Sequence, residues 1–506
     1  MDKKVLLIIL DGYGEGPDVT HNAVTRSNTP YLDSLRKKYP TTKLRADGNF
    51  VGLPKGTMGG SEVGHFTMGS GRVTWQSLEE IDRSIKSKKF FKLKELKKLA
   101  NNCRKNDSKF HILGMVSDKG VHSHLNHLFS LLEFAKKEKL KKVYIHTITD
   151  GRDAPERSAG KYLKQVNAKI KKLGLGKIAT IVGRYYAMDR DTNYDRTQKA
   201  YDLYTLGKGT KEKTALSALK NEFKRGTETD YYIKPILLEK DGVIEEKDSV
   251  AFFNFRTDRG KQITQAFTEK NFKEFKRKKK VFPSFLCFGP YSNIAPVLFP
   301  APVIKQNLSE VLANKNKKQL RLAETEKFAH VTFFFNSQVK IPYKGEKRIL
   351  IPSPKVPSYD LKPEMSAHGI TKALIKELDS KRRYEFIALN FANCDLVGHS
   401  GDFKATVKAV ETLDAQLAEI VPKALKKGYT VLVTADHGNA ECMRYPDGKV
   451  CPAHTLNPVI FIAITKEGKK IKLRKGTKGL DTIAPTILKI MGIKKPKVMT
   501  GKSLIK

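Results

Sequence analysis

Short, continuously apolar runs alternate along this chain with longer stretches whose apolar positions recur at helical spacing. Val5–Leu10, Phe110–Val116, Lys142–Thr147, Lys177–Val182, Val250–Phe255, His330–Phe335, Phe386–Phe391 and Tyr429–Thr434 have strand length. Their apolar residues run on rather than alternate, which suits strands covered on both faces. Thr29–Tyr39, Leu125–Glu138, Gly160–Leu173, Gly369–Ser380 and Phe403–Lys427 read as amphipathic helices. The alternation predicts an α/β chain, parallel sheets with helices on both sides. No apolar run approaches the roughly 18 residues of a membrane-spanning helix, so no membrane span is predicted.

The residues just after each strand matter most, because ligands of open α/β sheets gather at the carboxyl ends of the strands. Two kinds of end occur. One carries metal-binding side chains: Asp11 after VLLIIL, Asp395 and His399 in NCDLVGH, Asp436 and His437 in TADHGN, with His454 a little further on. The other carries cations and hydrogen-bonding groups: His122, Arg152 with Asp153, Arg184 and Arg190, then Arg256 and Arg259. The first kind lies near both ends of the chain and the second only between them. One domain interrupted by another is therefore predicted, residues 1–76 with 309–506 enclosing 77–308.

The length of 506 residues agrees with two or three domains. Lys and Arg number 95 against 53 Asp and Glu, a formal net charge of +42. Such a surface attracts polyanions without specificity. No aromatic-interleaved RNA motif, zinc finger or recognition helix accompanies it, so no specific nucleic-acid partner is expected. The start of the chain lacks the pattern of a signal peptide, and the five cysteines have no framework spacing; free thiols and a cytoplasmic location are expected. Cys442 and Cys451 flank the histidine-rich segment but lack CxxC spacing, and they read as inert thiols.

Asp11, Asp395, His399, Asp436, His437 and His454 form a mixed oxygen and nitrogen set, which suits Mn²⁺ or Zn²⁺ and suffices for two ions. The plainer reading makes each Asp a helix cap. Ser61, in MGGSEVGH, follows two glycines that let the backbone approach an anion closely. If it opens a helix, the free N–H groups would face a phosphate on its hydroxyl. The arginines with His122 describe a pocket for a small substrate carrying carboxylate and phosphate. Asp153 could exchange a proton with a substrate hydroxyl.

Taken together, the blocks LDGYGEG, MGGSEVGH, SDKGVHSH, DGRDAP, GRYYAMDRD, FFNFRTDR, AETEKFAHVTFFFN, NCDLVGHSGD, TADHGN and AHTLNPV resemble the cofactor-independent phosphoglycerate mutases, a branch of the alkaline phosphatase superfamily. The resemblance spans nearly the whole chain. It implies an alkaline-phosphatase-like metal domain with an inserted substrate domain, and an isomerase of glycolysis that interconverts 3-phosphoglycerate and 2-phosphoglycerate through a phosphoserine, without bisphosphoglycerate. Two Mn²⁺ ions would be held, one by Asp395, His399 and His454 and the other by Asp11, Ser61, Asp436 and His437. Ser61 would take the phosphoryl group and Asp153 act as acid and base. His122, Arg152, Arg184, Arg190, Arg256 and Arg259 would clamp the substrate, and Lys327 would be a further cation on the transferring phosphate. A monomer acting on a small molecule is expected; a related superfamily metallophosphatase or phosphomutase is the alternative. Two departures stand out. Gly60 replaces an Asn common before the serine, and Ser337-Gln338 stand where Gly-Gly often follows FFFN.

Overall fold

The computed structural model describes residues 3–17, 19–300, 302–468 and 471–506. The chain divides into two compact α/β units, Met1–Trp75 with Val303–Lys506 and Gln76–Pro302. The return to the first unit comes six residues before the expected residue 309, for a local reason. The Arg72 guanidinium donates to the Lys305 carbonyl at 3.0 Å and the Gln306 carbonyl at 3.4 Å, and Asn307 Nδ2 to the Asn336 carbonyl at 2.9 Å. The segment 305–307 is thereby tied to the first unit.

The strands are β1 (Lys4–Leu10), β2 (Thr41–Leu44), β3 (Phe110–Met115), β4 (Val143–Thr149), β5 (Lys177–Gly183), β6 (Thr210–Lys211), β7 (Ile236–Leu237), β8 (Ser249–Phe252), β9 (Ser284–Cys287), β10 (Gln319–Glu324), β11 (Glu346–Ile351), β12 (Phe386–Phe391), β13 (Tyr429–Thr434) and β14 (Val459–Ile464). The sheet of the first unit has the order β11-β10-β12-β1-β13-β14-β2. It is parallel from β11 to β13 and antiparallel at β14 and β2. The second has the order β6-β7-β5-β4-β3-β8-β9, parallel from β5 to β9. In β1 every residue from Val5 to Leu10 is buried, as its unbroken apolar run requires of a central strand. The expected helices form over Pro30–Lys38, Leu125–Lys137, Ala159–Leu173, Ala367–Asp379 and Phe403–Lys426.

His330–Phe335 is not a strand. A helix over Thr325–Ala329 continues into a π-helical turn over His330–Phe334. The apolar run belongs to a buried helical segment, which its length alone cannot distinguish from a strand. The strand of this region is β10, whose Gln319, Arg321 and Glu324 are buried. Arg321 lies between the rings of Phe335 and Phe386, 5.1 and 4.9 Å from their centroids, and donates to Ser309 Oγ and Gln319 Oε1 at 2.8 Å.

The π turn ends in Ser337 and Gln338, both left-handed with φ of 58° and 67°. This is the place where the resembled family often has Gly-Gly, and the reason is conformational: only glycine occupies that region freely. Ser337→Gly or Gln338→Gly should therefore raise stability by about 1 kcal/mol each. Urea melts that show a loss for both replacements would contradict this account.

The second unit buries a polar chain inside its sheet. His146 lies 2.9 Å from Thr180 Oγ1 and 2.9 Å from His111, which in turn lies 3.0 Å from Asp248 Oδ2. Burial holds both imidazoles below their usual value.

Candidate active site

In the first unit, four neighbouring parallel strands deliver side chains to one place. Asp11 follows β1, Lys327 lies in the helix after β10, Asp395 in the turn of helix after β12, and Asp436 with His437 after β13. Ser61 opens the helix Ser61–Ser70. Close packing brings these segments together. Gly12, at φ +77°, has Asp395 backbone atoms 2.7 Å from where a Cβ would stand, and a side chain at Gly64 would come within 2.8 Å of the Asp436 carbonyl. Glycine at both positions lets the segments touch.

Ser61 Oγ is the hub of the cluster. It lies 3.1 Å from Asp11 Oδ1, 3.0 Å from His437 Nε2 and 2.8 Å from Lys327 Nζ. The buried Lys327 ammonium also donates to Asp11 Oδ1 at 2.7 Å and Asp395 Oδ2 at 2.6 Å. Asp395 Oδ1 faces imidazoles: His399 Nε2 and His454 Nε2 stand 3.1 Å away and His437 Nε2 3.8 Å. His399 is steadied by donating from Nδ1 to the Pro452 carbonyl at 2.5 Å, and His454 by the Gly59 carbonyl at 2.8 Å.

The carboxylates and imidazoles fall into two groups able to hold a cation, Asp395 with His437 and His454, and Asp11 with His65 and Asp436. In each group the ligand atoms lie within 4.8 Å of one another. His437, a member of the first group, also reaches the second, 3.4 Å from Asp11 Oδ1 and 3.6 Å from Asp436 Oδ2. Asp436 Oδ2 is buried without a hydrogen bond. A buried carboxylate oxygen that accepts no hydrogen bond is costly unless a cation meets it. The donor set fits hard or borderline divalent ions, with no thiolate among the grouped ligands.

His65 and Asn390 are the residues here that the sequence reading missed. His65 sits one helical turn after Ser61; its Nδ1 is 2.9 Å from the Ser61 carbonyl and 3.2 Å from Asp436 Oδ2. Asn390 Nδ2 donates to Asp11 Oδ2 at 2.7 Å and lies 3.1 Å from His65 Nε2. The i,i+4 spacing of Ser61 and His65 in SEVGH was the available signal.

Electrostatics bind the cluster together. Burial pulls the Asp11 and Asp395 carboxyls upward, but Lys327 and the imidazoles outweigh it and hold both well below the usual range. Burial lowers His437, yet Asp436, Asp11 and Asp395 lift it to about 10.

The second unit gathers its own cluster at the carboxyl ends of β3, β4, β5 and β8. Arg184, buried, donates from Nη1 to Asp150 Oδ1 at 2.7 Å and Asp153 Oδ2 at 2.6 Å, and its Nη2 meets His122 Nε2 at 3.0 Å. Burial and then Arg184 bring His122 down to about 4. At neutral pH His122 is therefore uncharged, accepts from Arg184, and keeps an N–H at Nδ1, which is buried with no hydrogen-bond partner. Arg190 Nη1 and Arg256 Nε both reach Asp258, at 2.9 and 3.2 Å. Arg259 donates to the Met188 carbonyl at 3.0 Å. Arg152 is exposed, and the partner of Asp153 is Arg184 rather than this chain neighbour. Asp150 and Asp258 are the carboxylates that sequence reasoning passed over. Asp150, in DGRDAP, holds the guanidinium of Arg184, and Asp258, in FRTDR, holds those of Arg190 and Arg256.

Comparison with known proteins agrees with this two-unit layout. The family described as "BPG-independent PGAM N-terminus" matches residues 81–293, and "Type I phosphodiesterase / nucleotide pyrophosphatase" matches residues 257–480. The chain is 48% identical to the 2,3-bisphosphoglycerate-independent phosphoglycerate mutase of Acetivibrio thermocellus, over 100% of this chain and 99% of the relative. It is 46% identical to the enzyme of that name from Moorella thermoacetica, with the same coverage. Among solved structures, Leishmania mexicana phosphoglycerate mutase at low cobalt concentration aligns over 100% of this chain and 98% of its own, with a TM-score of 0.61 and 31% identity. With both units matched and the full length covered at this identity, the chain belongs to the family of 2,3-bisphosphoglycerate-independent phosphoglycerate mutases.

Proposed function

We propose that this chain interconverts 3-phosphoglycerate and 2-phosphoglycerate in glycolysis and gluconeogenesis, as a cytoplasmic monomer, through a phosphoserine at Ser61. The observation that carries the reading is Ser61 Oγ at a helix start, within 3.1 Å of a carboxylate, an imidazole and an ammonium. No helix among the described residues is long and apolar enough to cross a membrane.

Asp395, His399 and His454 would hold one Mn²⁺ ion, and Asp11, Ser61, Asp436 and His437 the other. Bound there, such ions supply Lewis-acid polarisation of phosphoryl oxygens and an acidified serine hydroxyl. The rest is done by the chain. The Ser61 oxygen, which enters and leaves the cycle deprotonated, attacks phosphorus in line, the bond from phosphorus to the C3 oxygen breaks, and that oxygen takes a proton from the carboxyl form of Asp153. Lys327 places positive charge beside the transferring phosphoryl group. Arg152, Arg184, Arg190, Arg256 and Arg259, with the N–H of His122, retain the glycerate through its carboxylate and hydroxyl oxygens. The glycerate reorients, Asp153 takes the proton of the 2-hydroxyl, and that oxygen attacks the phosphoserine. Ser61 is restored and no bisphosphoglycerate is consumed.

The test is a coupled assay without bisphosphoglycerate, after chelation and again after Mn²⁺ is returned. Activity should vanish and come back. Full turnover in chelator would remove the two-ion reading, and tight, salt-dependent nucleic-acid binding that survives chelation with no turnover would favour a polyanion-binding protein.

Metal affinity should also depend on pH with a definite sign. The raised His437 contributes stability to the metal-free chain that is complete below about 6.5 and is lost as pH rises through about 10. A ligating imidazole must be deprotonated, so Mn²⁺ affinity should climb across the same window. Calorimetric titration between about pH 7 and 9 should show proton release on binding. Flat affinity would show that His437 does not exchange a proton for the ion.

A further inference from the structure

Glu441 follows His437 by four positions and has no part in the chemistry above. It is 1% exposed, and among the described residues no cation pairs with its carboxylate. Neutral donors meet it instead. Oε2 accepts the Gly14 backbone N–H at 3.1 Å, while Oε1 accepts from Asn457 Nδ2 at 3.0 Å and from the Thr455 hydroxyl. That hydroxyl in turn accepts the backbone N–H of Asn457 at 3.2 Å. Glycines make room for the group: a Cβ at Gly14 would stand 2.1 Å from Glu441 Cδ, and one at Gly438 2.2 Å from Oε1. A carboxylate buried without a cation is costly, and a residue that only fills space would avoid that cost. Three donors converging on two oxygens call for a group that only accepts, whereas a glutamine would turn its amide hydrogens toward donors on one side or the other.

The donors lie on segments that carry candidate ligands. Gly14 follows Asp11 by three positions, just beyond β1, and Thr455 directly follows His454. Gly438, packed against Oε1, directly follows His437. Glu441 belongs to neither group of candidate ligands, yet it joins Asp11 of one group to His454 of the other. Backbone bonds run between the same segments: the Asn439 and Ala440 N–H groups donate to the Gly12 carbonyl at 2.9 and 3.1 Å, and the Thr455 N–H to the Gly438 carbonyl at 3.0 Å. These bonds survive a change at residue 441, so the fold should survive it too.

We infer, on the two-ion reading proposed above, that Glu441 is a positioning residue of the metal centre, whose carboxylate ties the Gly14 segment to the Thr455–Asn457 turn and so fixes Asp11 relative to His454. It acts through those segments and not as a ligand. With the tie loosened, every candidate ligand is still present, but the ligands must be drawn into place as the ions bind, and affinity falls.

Three variants of the full chain separate position from charge and from packing. Glu441→Gln keeps the shape but deprives at least one donor of its acceptor. Thr455→Val leaves the Glu441 charge in place and removes the hydroxyl that links it to Asn457, and Thr455→Ser retains that hydroxyl. Mn²⁺ alone, titrated calorimetrically into the metal-free chain, should bind about tenfold more weakly to Glu441→Gln and to Thr455→Val, with Thr455→Ser restoring most of the affinity. Turnover of the two weakened variants should fall at limiting Mn²⁺ and return as Mn²⁺ is raised, with KM for 3-phosphoglycerate unchanged. Variants that melt earlier in urea yet bind Mn²⁺ as the wild type does would make Glu441 a packing residue and overturn the inference. Weaker binding by Glu441→Gln with none by Thr455→Val would make the charge the cause and overturn it as well. Should Glu441→Gln fail to fold, the two Thr455 variants decide the matter. A wild-type chain that binds no Mn²⁺ would remove the two-ion reading itself, whereas normal wild-type binding beside unmoved variants would remove only the role of Glu441.

Discussion

Ser61→Ala should lower turnover by on the order of 10⁴–10⁶-fold while both carboxylate and imidazole groups stay in place. No neighbouring group can replace the lost hydroxyl. Lys327 and His437 converge on Ser61 Oγ, and Asp11 lies behind it, so removing that atom leaves a site that can bind but has no acceptor for phosphorus. Wild-type protein should also decide between mutase and phosphatase. On the proposed reading the arginine cluster retains the glycerate, whose hydroxyl would then stand at an effective concentration far above that of a competing nucleophile. Labelled 3-phosphoglycerate supplied with excess unlabelled glycerate should therefore give labelled 2-phosphoglycerate with little exchange and little inorganic phosphate. Stoichiometric phosphate release would make the chain a phosphatase built on the same site. A Ser61→Ala variant with substantial turnover would remove the phosphoserine altogether.

Lys327→Met should have the second largest effect, and it should act on two properties differently. Lys327 is 3% exposed, and its ammonium contacts Asp11, Asp395 and Ser61. In the metal-free chain its loss leaves two buried carboxylates without their main cation, a cost of about 3–5 kcal/mol. The sign of the accompanying pH dependence is fixed. Asp11 and Asp395 have depressed values in the folded chain, so they stabilise it above the ordinary carboxylate range, and that contribution is lost as pH falls. The variant should lose this acid-side dependence. With Mn²⁺ present, ions bound as proposed would take over the neutralising role, so the stability deficit should shrink, while turnover should stay down by about 10²–10³-fold for want of the charge that the proposed mechanism sets beside the phosphoryl group. Melting curves with and without Mn²⁺, beside a turnover assay, separate these effects. Equal destabilisation in both conditions would show that Lys327 is a packing residue only.

The central strands were legible because burial on both faces leaves little room for polar residues: β1, β12 and β13 read as strands from their apolar runs alone. β10 did not, because it carries Gln319, Arg321 and Glu324 into the interior and satisfies them through Ser309, Ser353 and the aromatic rings flanking Arg321. β11 lies at an edge with only partial burial, so its sequence is half polar. Strand ends could be picked out as chemical positions, since a carboxylate or arginine directly after an apolar run is unusual. What could not be read was pairing across the fold. That His65 faces Asp436, or that Asp258 joins Arg190 to Arg256, depends on segments brought close only by the completed sheets.

The place of β1 in its sheet has a consequence for how the chain is made. β1 pairs with β12 and β13, whose partners begin at Phe386 and Tyr429. Ribosomes add roughly 5–20 residues per second, so this strand waits on the order of 20–75 s before its first neighbour is synthesised. Gln76–Pro302 is continuous and can complete its own sheet during that interval. The first unit must close afterwards, around a strand that left the ribosome long before and stayed fully apolar meanwhile. During synthesis, Val5–Leu10, the strand that ends at Asp11, is thus a segment open to aggregation and to chaperone capture.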